Sequence, residues 1–488
     1  MKLRSLLISL LLPAAVPAWA AAEPATQPVP RPAAPAPSAA QAAAARPTPR
    51  RAAQAEPGAT ARPRPVLPKH MPALSLDEAI DLAFAQNPDL SAAAARIGEA
   101  EARVAEAEAG FYPKVQARID YMYSNNPALA FSSIVAQRRF NFGMNINEPG
   151  WVSNFRPEIV GTWNLYRGGQ DTALKRAAEL GVSAAELERS AMRNRLAAAV
   201  TAAYYAVMSA PRQAEVAHRS VETVAAELDH TKARVEEGMA LKGDVLSLEV
   251  RATEAYENEL LAKNSLTVSR SALKTLLGGD SPDLPDVRET EAPVPERAGE
   301  FKKLLGQAMD QRPEIVAAAR QVEIRQHELD AAKGANLPRV NAYAAYGENG
   351  RNPAFSFNRD NGTIGINAEV DIYTGGANNA KISAAERRVV EAEAIREKTR
   401  LEIEDELRRA WSALDEAVQR MKVAEAGSAS AEEALRLVNE QYHGGTATVT
   451  RYLEAETARA NASLRAILAR FEAQVAEAQV KQAVGHWK

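Results

Sequence analysis

The chain of 488 residues contains no cysteine. This absence excludes disulfide bonds, thiolate metal sites and thiol catalysis, and it excludes a lipid anchor on an acylated N-terminal cysteine. Aromatic residues are also scarce, at 6%, although 46% of residues are hydrophobic and alanine supplies much of that share. An alanine-rich chain with few aromatics favours long, closely packed helices over a bulky globular core.

An excess of positive charge and long apolar runs are missing too. The formal net charge of −3 at pH 7 argues against a nucleic-acid-binding protein. Beyond residue 20 no run of about 18 apolar residues occurs, so the sequence predicts no transmembrane helix. The six histidines form no His-Glu-x-x-His motif and no i,i+4 pair, and no phosphate-binding glycine motif is present. We therefore expect no catalytic residue, no cofactor and no metal site.

The first 72 residues divide into two segments that precede the fold. Residues 1–20 begin with Lys2 and Arg4, continue with an apolar stretch and end at Ala20 in a small-x-small motif, which is typical of a secretory signal peptide. Residues 21–72 are rich in alanine and proline and carry more basic than acidic side chains, so we predict an extended, disordered arm. Its charge suits either contact with an anionic envelope polymer or an ordinary solvated linker.

From residue 73 onward, the second half of the chain repeats the first. Glycine landmarks recur at a constant offset of 207 residues, as three pairs show: Gly168 and Gly375, Gly238 and Gly445, Gly278 and Gly485. A duplicated unit at constant spacing constrains the architecture before any motif does. We therefore divide the folded chain into a first repeat at residues 73–279, a linker at 280–300 and a second repeat at 301–488.

Each repeat contains two segments in which apolar and polar residues alternate. They are predicted strands with one apolar and one polar face, at residues 114–124, 157–166, 339–346 and 363–372. A loop at residues 125–154 joins the first two strands, and it is longer than its counterpart in the second repeat. Arg138 and Arg139 in this loop are either lid residues or simply solvated.

A long helical segment follows the second strand of each repeat. The roughly 70 residues from Gly168 to Gly238 would span about 105 Å if helical throughout. A turn and a shorter helix that ends near Leu277 complete a hairpin, whose small apolar residues repeat in a heptad pattern. The predicted fold class is mainly α with a β part, built twice.

Four strands with an apolar face cannot close a barrel, because a sheet in lipid tolerates no open edge. Three copies would supply twelve strands, an even number as in bacterial outer-membrane barrels. The apolar side chains would then face lipid. The polar faces would line a water-filled lumen, with these residues: Gln116, Arg118, Asp120, Asn367, Glu369 and Asp371. The alternative is an ordinary half-buried sheet of a soluble protein.

The duplicated blocks resemble the TolC family of outer-membrane efflux and secretion channel proteins. The resemblance depends on Asn87-Pro88, the Gly-Phe-Tyr-Pro segment at 110–113, the Leu-Tyr-x-Gly-Gly joint that contains Gly168, and Asp244 six residues after Gly238. It covers residues 73–488. It implies a homotrimer with a 12-stranded outer-membrane barrel, continued by a long periplasmic α-helical tunnel. It also implies docking to a periplasmic adaptor (a membrane fusion protein) and an inner-membrane transporter.

In such a channel the helical turns form the periplasmic tips, and the resemblance implies that they contact the adaptor. The expected contact residues are Gly238, Met239, Ala240, Leu241 and Asp244 in the first tip, and Gly445, Thr446 and Val449 in the second. Exposed apolar side chains on a turn favour a contact surface. The alternative is a hairpin that is merely stopped by glycine.

The resemblance also implies a gate at the second tip. Family members close the tunnel with a tyrosine just before the glycine and two acidic residues after it. Tyr442 and Glu454 occupy two of those places, whereas Arg451 stands at the first acidic place. We expect Arg451 to pair with Asp244 or Glu454 and to weaken cation attraction. The alternative is a set of surface charges on a helix.

The function implied by the resemblance is passive, gated exit from a bacterial cell, through a channel in the outer membrane whose helical part lies in the periplasm. The chain would serve tripartite efflux or type I secretion, and it would not be an enzyme. One rival is a periplasmic adaptor, which needs a small β-rich carrier domain that is not evident. The other is a coiled-coil envelope scaffold, which needs no amphipathic strands. Small molecules, metal ions and polypeptides all suit such a conduit.

Overall fold

The computed structural model describes residues 73–278, 286–288, 294–297, 299–353 and 357–487. The predicted signal peptide at 1–20, the arm at 21–72 and most of the linker at 280–300 lie outside the described residues. The first repeat comprises α1 (Leu76–Gln86), α2 (Pro88–Glu108), β1 (Lys114–Ser124), α3 (Pro127–Ala136), β2 (Val152–Arg167), α4 (Gln170–Glu236) and α5 (Lys242–Leu277). The second comprises α6 (Phe301–Gln311), α7 (Pro313–Gly334), β3 (Arg339–Glu348), β4 (Asp360–Glu369), α8 (Ala377–His443) and α9 (Val449–Val484).

The duplication is visible in the lengths of the helices. Helices α4 and α8 have 67 residues each, and α5 and α9 have 36 each. At the rise of an α-helix, 67 residues extend about 100 Å. The two hairpins also pack together near their turns, where Val224 and Leu248 of the first share a buried cluster with Tyr442 of the second.

Local sequence signals set the helix boundaries. Ser75 and Glu78 form a capping box at the start of α1, with the Ser75 N–H donating to Glu78 Oε2 at 2.8 Å. Pro88 stands at the first turn of α2, and the Asn87 side chain caps that helix by accepting the Asp89 N–H at 2.8 Å. The chain therefore changes helix at Asn87.

The first glycine of the pair before α4 is required because the backbone of α7 passes close to it. Gly168 has φ +62°, and a Cβ on it would lie 2.2 Å from the backbone oxygen of Gly334 in α7. No other residue type fits there without moving α7 away from the strand-to-helix joint. Gly169 follows with φ +78° and precedes the first residue of α4.

The strands form one antiparallel sheet in the order β1-β2-β3-β4. Val115 pairs with Gly161, and Ala344 pairs with both Gly161 and Ile364. Residues directly opposite one another lie on the same face, so Val115, Ala344 and Ile364 share one face of the sheet. Within the described residues, β1 pairs only with β2, and β4 pairs only with β3.

The predicted strand at 363–372 was misplaced, because β4 runs from Asp360 to Glu369. Its last partner is Arg339, the first residue of β3, which follows a proline that has no backbone N–H to donate. Asp371 therefore lies beyond the ladder. Two strands are longer than predicted, because β2 begins at Val152 and β3 extends to Glu348. The predicted loop at 125–154 also contains the helix α3.

The helical part is held by three groups of buried side chains. The first joins α1, α4 and α5 around Leu74, Val200 and Leu273, and the second joins α6, α8 and α9. The third lies near the hairpin turns and includes Val224, Leu248, Tyr442, Val449 and Tyr452. Among the residues that the structure describes, no helix is both long and apolar enough to cross a membrane.

Candidate functional site

The sheet exposes its apolar face in the single chain. Val115 is 70% exposed, Ile119 62%, Ile364 88% and Ile366 70%. A half-buried sheet of a soluble protein would cover this face with helices or a second sheet. Contiguous exposed apolar surface of this kind marks a contact with lipid or with another protein.

The opposite face carries a network of charges. The Glu158 carboxylate, 1% exposed, accepts from Arg118 and from Arg156, the latter at 2.7 Å, and Arg118 Nε also lies 3.0 Å from Asp120. Arg118 and Asp120 were predicted as lumen residues. Glu158 lies within the predicted strand 157–166 but was not among the predicted lumen residues, and Arg156 precedes the predicted start of that strand.

The remaining predicted lumen residues are distributed along the same side. Gln116 pairs with Val160 across the ladder, and Asn367 pairs with Asn341. Arg339 lies 3.6 Å from Glu369 and 3.0 Å from Asp371. Asp371 thus belongs to this charged network, although it is not a strand residue.

The long loop is tied to the sheet at one end. Arg138 donates to the backbone oxygen of Asn358 at 2.9 Å and to both the backbone and side chain of Asp360, where β4 begins. Arg139 donates to Gln137 Oε1 at 3.2 Å. Gln137 is 1% exposed and donates to Ser153 O and Asn154 Oδ1. Neither arginine is therefore merely solvated.

The first hairpin turn, between α4 and α5, presents apolar side chains to solvent. Met239 is 59% exposed and Leu241 is 73% exposed, beside Gly238 with φ +71° and the partly buried Ala240. Asp244 accepts the backbone N–H of Leu241 at 3.3 Å, so its carboxylate caps α5. This turn is a compact apolar protrusion.

The second turn, between α8 and α9, is polar. Gly445 has φ +74°, and the hydroxyl of Thr446 donates to the backbone oxygen of Gln441 at 3.0 Å. Val449, which was predicted to be a contact residue, is only 6% exposed and packs in the core beside Tyr452. That prediction is corrected because the first residue of α9 faces the neighbouring helices.

The predicted gate residues fall into two groups. Arg451 Nη1 lies 3.4 Å from Glu454 Oε2, and both side chains are more than half exposed. Tyr442 is instead 6% exposed, with its hydroxyl 3.3 Å from Thr231 Oγ1 and its ring stacked on Tyr452 at 5.3 Å. Burial raises the pKa of the Tyr442 hydroxyl, which keeps it protonated. Arg451 thus pairs with Glu454, and Asp244 caps its own helix.

Both repeats match a known protein family. The model of the outer membrane efflux protein family matches residues 79–279 and 304–486, which is more than half of the chain. The chain belongs to the outer membrane efflux protein family. The two matched segments fall within the two repeats. They confirm the resemblance predicted from the sequence.

Individual relatives cover most of the chain. TolC of Vibrio cholerae is 24% identical over 418 residues, which is 84% of this chain and 90% of the relative. Protein CyaE of Bordetella pertussis is 26% identical over 345 residues, 70% of this chain and 69% of the relative. The crystal structure of the outer membrane protein VceC from V. cholerae superposes with a TM-score of 0.69 at 22% identity, covering 84% and 96%. That last likeness shows the fold.

Membership of this family places the protein in the outer membrane, with its helical hairpins in the periplasm. The protein is an outer-membrane channel of the efflux and secretion type. The mainly helical fold with a four-stranded sheet is likewise confirmed. These findings decide against the two rival interpretations, a periplasmic adaptor and an envelope scaffold.

Proposed function

We propose that three copies of this chain form one passive, gated conduit, in which twelve strands close a barrel and the helical hairpins continue it as a tunnel. The observation that carries this proposal is the sheet, which exposes an apolar face and has two open edges. In lipid every backbone polar group needs a partner, so β1 of one copy would pair with β4 of the next. Strands of 11, 10 and 10 residues in β1, β3 and β4 match the roughly 9–11 residues that cross a bilayer.

The charged face then lines the lumen. Arg118, Asp120 and Glu158 carry charges of both signs, which would be costly against lipid but are hydrated in an aqueous channel. The exposed apolar residues of the other face meet the acyl chains. The chain performs no chemical step of its own in this scheme.

Helix α5 supports assembly into a closed ring. One of its faces packs on α4 through Leu248, Ala255 and Leu273. The opposite face exposes six apolar residues: Leu246, Val250, Tyr256, Leu260, Leu261 and Val268. A helix that is apolar on both faces needs partners on both, and a neighbouring copy supplies the second.

The first hairpin turn is the proposed contact for a periplasmic adaptor, which in turn recruits an inner-membrane transporter. Met239 and Leu241 are the exposed apolar side chains of this turn, and a partner that covers them removes apolar surface from water, which favours binding. The second turn offers Gly445 and the polar Thr446. We therefore assign the stronger contact to the first turn.

The proposed gate is the Arg451–Glu454 pair. Three such pairs around a threefold axis would present as many positive as negative charges, so the constriction would select weakly between cations and anions. Tyr442 has a supporting role, because its buried ring fixes the end of α8 against α9.

The test combines conductance with export. Protein purified from outer membranes and inserted into planar bilayers should open discrete pores, and the gene should restore export in a cell that lacks its own channel. Met239→Asp with Leu241→Asp should abolish export but leave conductance intact, and Thr446→Asp is the matched control at the second turn. Absence of pores from wild-type protein would contradict the proposed conduit, and full export by the double variant would contradict the proposed contact.

A further inference from the structure

The two hairpins meet near their turns at a cluster of three metal-binding side chains. Glu227 and His230 lie on the last turns of α4, and His443 is the last residue of α8. One ligand atom from each of the three lies within 4.8 Å of the others. His230 Nδ1 is 3.5 Å from Glu227 Oε1, and the two imidazole rings stand edge to face with centroids 5.5 Å apart. Nothing in the conduit scheme uses this cluster.

The carboxylate of the cluster is buried and oriented. The Glu227 side chain is 7% exposed, and its Oε1 accepts the hydroxyl of the buried Thr231 at 3.2 Å. Thr231 Oγ1 in turn lies 3.3 Å from the hydroxyl of Tyr442. Outer hydrogen bonds of this kind hold a metal ligand in a fixed direction. Both histidines are exposed, so an ion can reach the site from solution.

We propose that Glu227, His230 and His443 bind one divalent transition-metal ion of the zinc class and thereby join the α4–α5 hairpin to the α8–α9 hairpin. Two imidazoles and one carboxylate are a common zinc ligand set with a fourth position for water. Bonds of about 2.0–2.2 Å at tetrahedral angles place ligand atoms roughly 3.4 Å apart. The pair in α4 is already 3.5 Å apart, and the ligand atom of the exposed His443 lies within 4.8 Å of both.

The chemistry of the ligands limits which ions bind. Imidazole nitrogen suits zinc, cobalt, nickel and copper, whereas magnesium and calcium require oxygen ligands. The site therefore discriminates against the hard cations that are abundant in solution. Its two histidines belong to different hairpins, so binding fixes the distance between the ends of α4 and α8.

The duplication does not create a second copy of the site. At the constant offset, Glu227 and His230 correspond to Ala434 and Leu437, and His443 corresponds to Glu236. Neither alanine nor leucine can ligate a metal. The expected stoichiometry is one ion per chain. His327 and Asp330, 3.7 Å apart in α7, provide a matched histidine–carboxylate pair that has no third ligand among the described residues.

The experiment uses the full chain in detergent, without a polyhistidine tag and freed of metal by a chelator. Calorimetric titration with zinc chloride should show one ion per chain, and cobalt should give the visible spectrum of a tetrahedral site. His443→Ala and Glu227→Gln should each weaken zinc binding by more than about tenfold, the lower limit for loss of even an outer hydrogen-bond partner. His327→Ala and titration of wild type with magnesium chloride are the controls.

Zinc should also raise the midpoint of thermal unfolding of the wild type but not of His443→Ala, because only the wild type can be cross-linked between its hairpins. Wild-type protein that binds no zinc at one ion per chain would overturn the proposal. Binding that His443→Ala leaves unchanged would overturn it as well, since the ion would then not join the hairpins. Channel formation is independent of this site, so pore measurements on the same samples separate failure of the metal site from failure of the conduit.

Discussion

Helices α5 and α9 occupy equivalent places in the two repeats and have the same length, yet their surroundings differ. Helix α9 lies against both α8 and α4, and its buried residues, from Val449 to Ala483, are distributed over two sides. Helix α5 packs mainly on α4, and the opposite side exposes residues such as Val250 and Leu261. A duplicated sequence therefore does not produce a duplicated environment. We propose that the exposed apolar side of α5 is where the next copy binds.

The same comparison explains a buried ion pair that only one repeat contains. Glu456 and Arg459 in α9 are almost fully buried, with Arg459 Nη2 2.9 Å from Glu456 Oε1 and the Ser220 hydroxyl 2.8 Å from the same oxygen. The hydrogen bond to Glu456 raises the pKa of Arg459. Their counterparts in α5 are the exposed Glu249 and the apolar Ala252. Arg459 thus neutralises the buried Glu456 carboxylate at a place where α9 packs against α4.

The largest effect is expected from charges on the exposed face of α5. Leu260→Glu with Leu261→Glu would place carboxylates in the proposed contact between copies, where their desolvation opposes association. We expect loss of the trimer on gel electrophoresis without boiling, while the single chain keeps its helicity by circular dichroism. The matched control is Leu468→Glu, the counterpart of Leu261 in α9, which should still assemble. If both variants assembled equally well, the proposal that α5, and not α9, forms the contact between copies would be wrong.

The next effect concerns the buried ion pair. Arg459→Ala installs the residue type of the first repeat and leaves the Glu456 carboxylate buried with Ser220 as its remaining partner. Removing one partner of a buried pair costs about 3–5 kcal/mol, so the midpoint of thermal unfolding should fall by several degrees. Glu456→Gln combined with Arg459→Ala should recover part of that loss. Arg436→Ala breaks an exposed pair in α8 and should change the midpoint little; a comparable fall in this control would contradict the argument.

A smaller effect is expected at the turn of the second hairpin. Arg451→Ala leaves Glu454 without its partner at 3.4 Å, so the reversal potential in a salt gradient should move toward cation selectivity. Glu454→Ala should move it toward anions. Because the pair is exposed, neither change should alter thermal stability measurably. Asp244→Ala, at the capping residue of the first hairpin, serves as the control and should leave selectivity unchanged.

The smallest expected effect is on the pH dependence of thermal stability, and it distinguishes the start of α1 from the start of α6. The hydrogen bond from the Ser75 backbone holds the pKa of Glu78 below its ordinary value, whereas α6 has no side-chain cap. The folded pKa is the lower one, so this stabilisation is present above about pH 4.3, the usual value in an unfolded chain. It is lost as the pH falls through the lowered folded value.

Glu78→Gln should therefore narrow the difference between the thermal midpoints at pH 6 and pH 3.5. The matched variant Lys303→Gln, at the corresponding place in α6, should leave that difference unchanged. An unaltered difference in Glu78→Gln would show that the capping box makes no pH-dependent contribution.

Much of the fold can be predicted from the sequence, because the spacing of apolar residues and the position of a turn glycine depend only on neighbouring residues. The alternation of apolar and polar residues predicted all four strands, and Gly238 and Gly445 predicted both turns. The end of β4 was misplaced because it depends on where β3 begins, which is a pairing between strands. Alternation continues through Ile372, but Arg339 is the last available partner.

The candidate site was less predictable because it depends on which helices meet. Val449 was predicted as a contact residue and Tyr442 as a gate residue, but the packing of α4 against the second hairpin buries both. His230 and His443 are far apart in the sequence, so they form no motif of two histidines one turn apart. The Glu-x-x-His spacing of Glu227 and His230 was the available signal, since it places both side chains on one face of a helix.

We propose that this chain functions as three copies around one water-filled axis. The most direct test is the mass of the complex extracted from outer membranes in mild detergent, measured by analytical ultracentrifugation or native mass spectrometry. We expect three chains per particle in the outer-membrane fraction, and single chains for the variant Leu260→Glu, Leu261→Glu. A single chain per particle, or a protein recovered in the soluble periplasmic fraction, would contradict it.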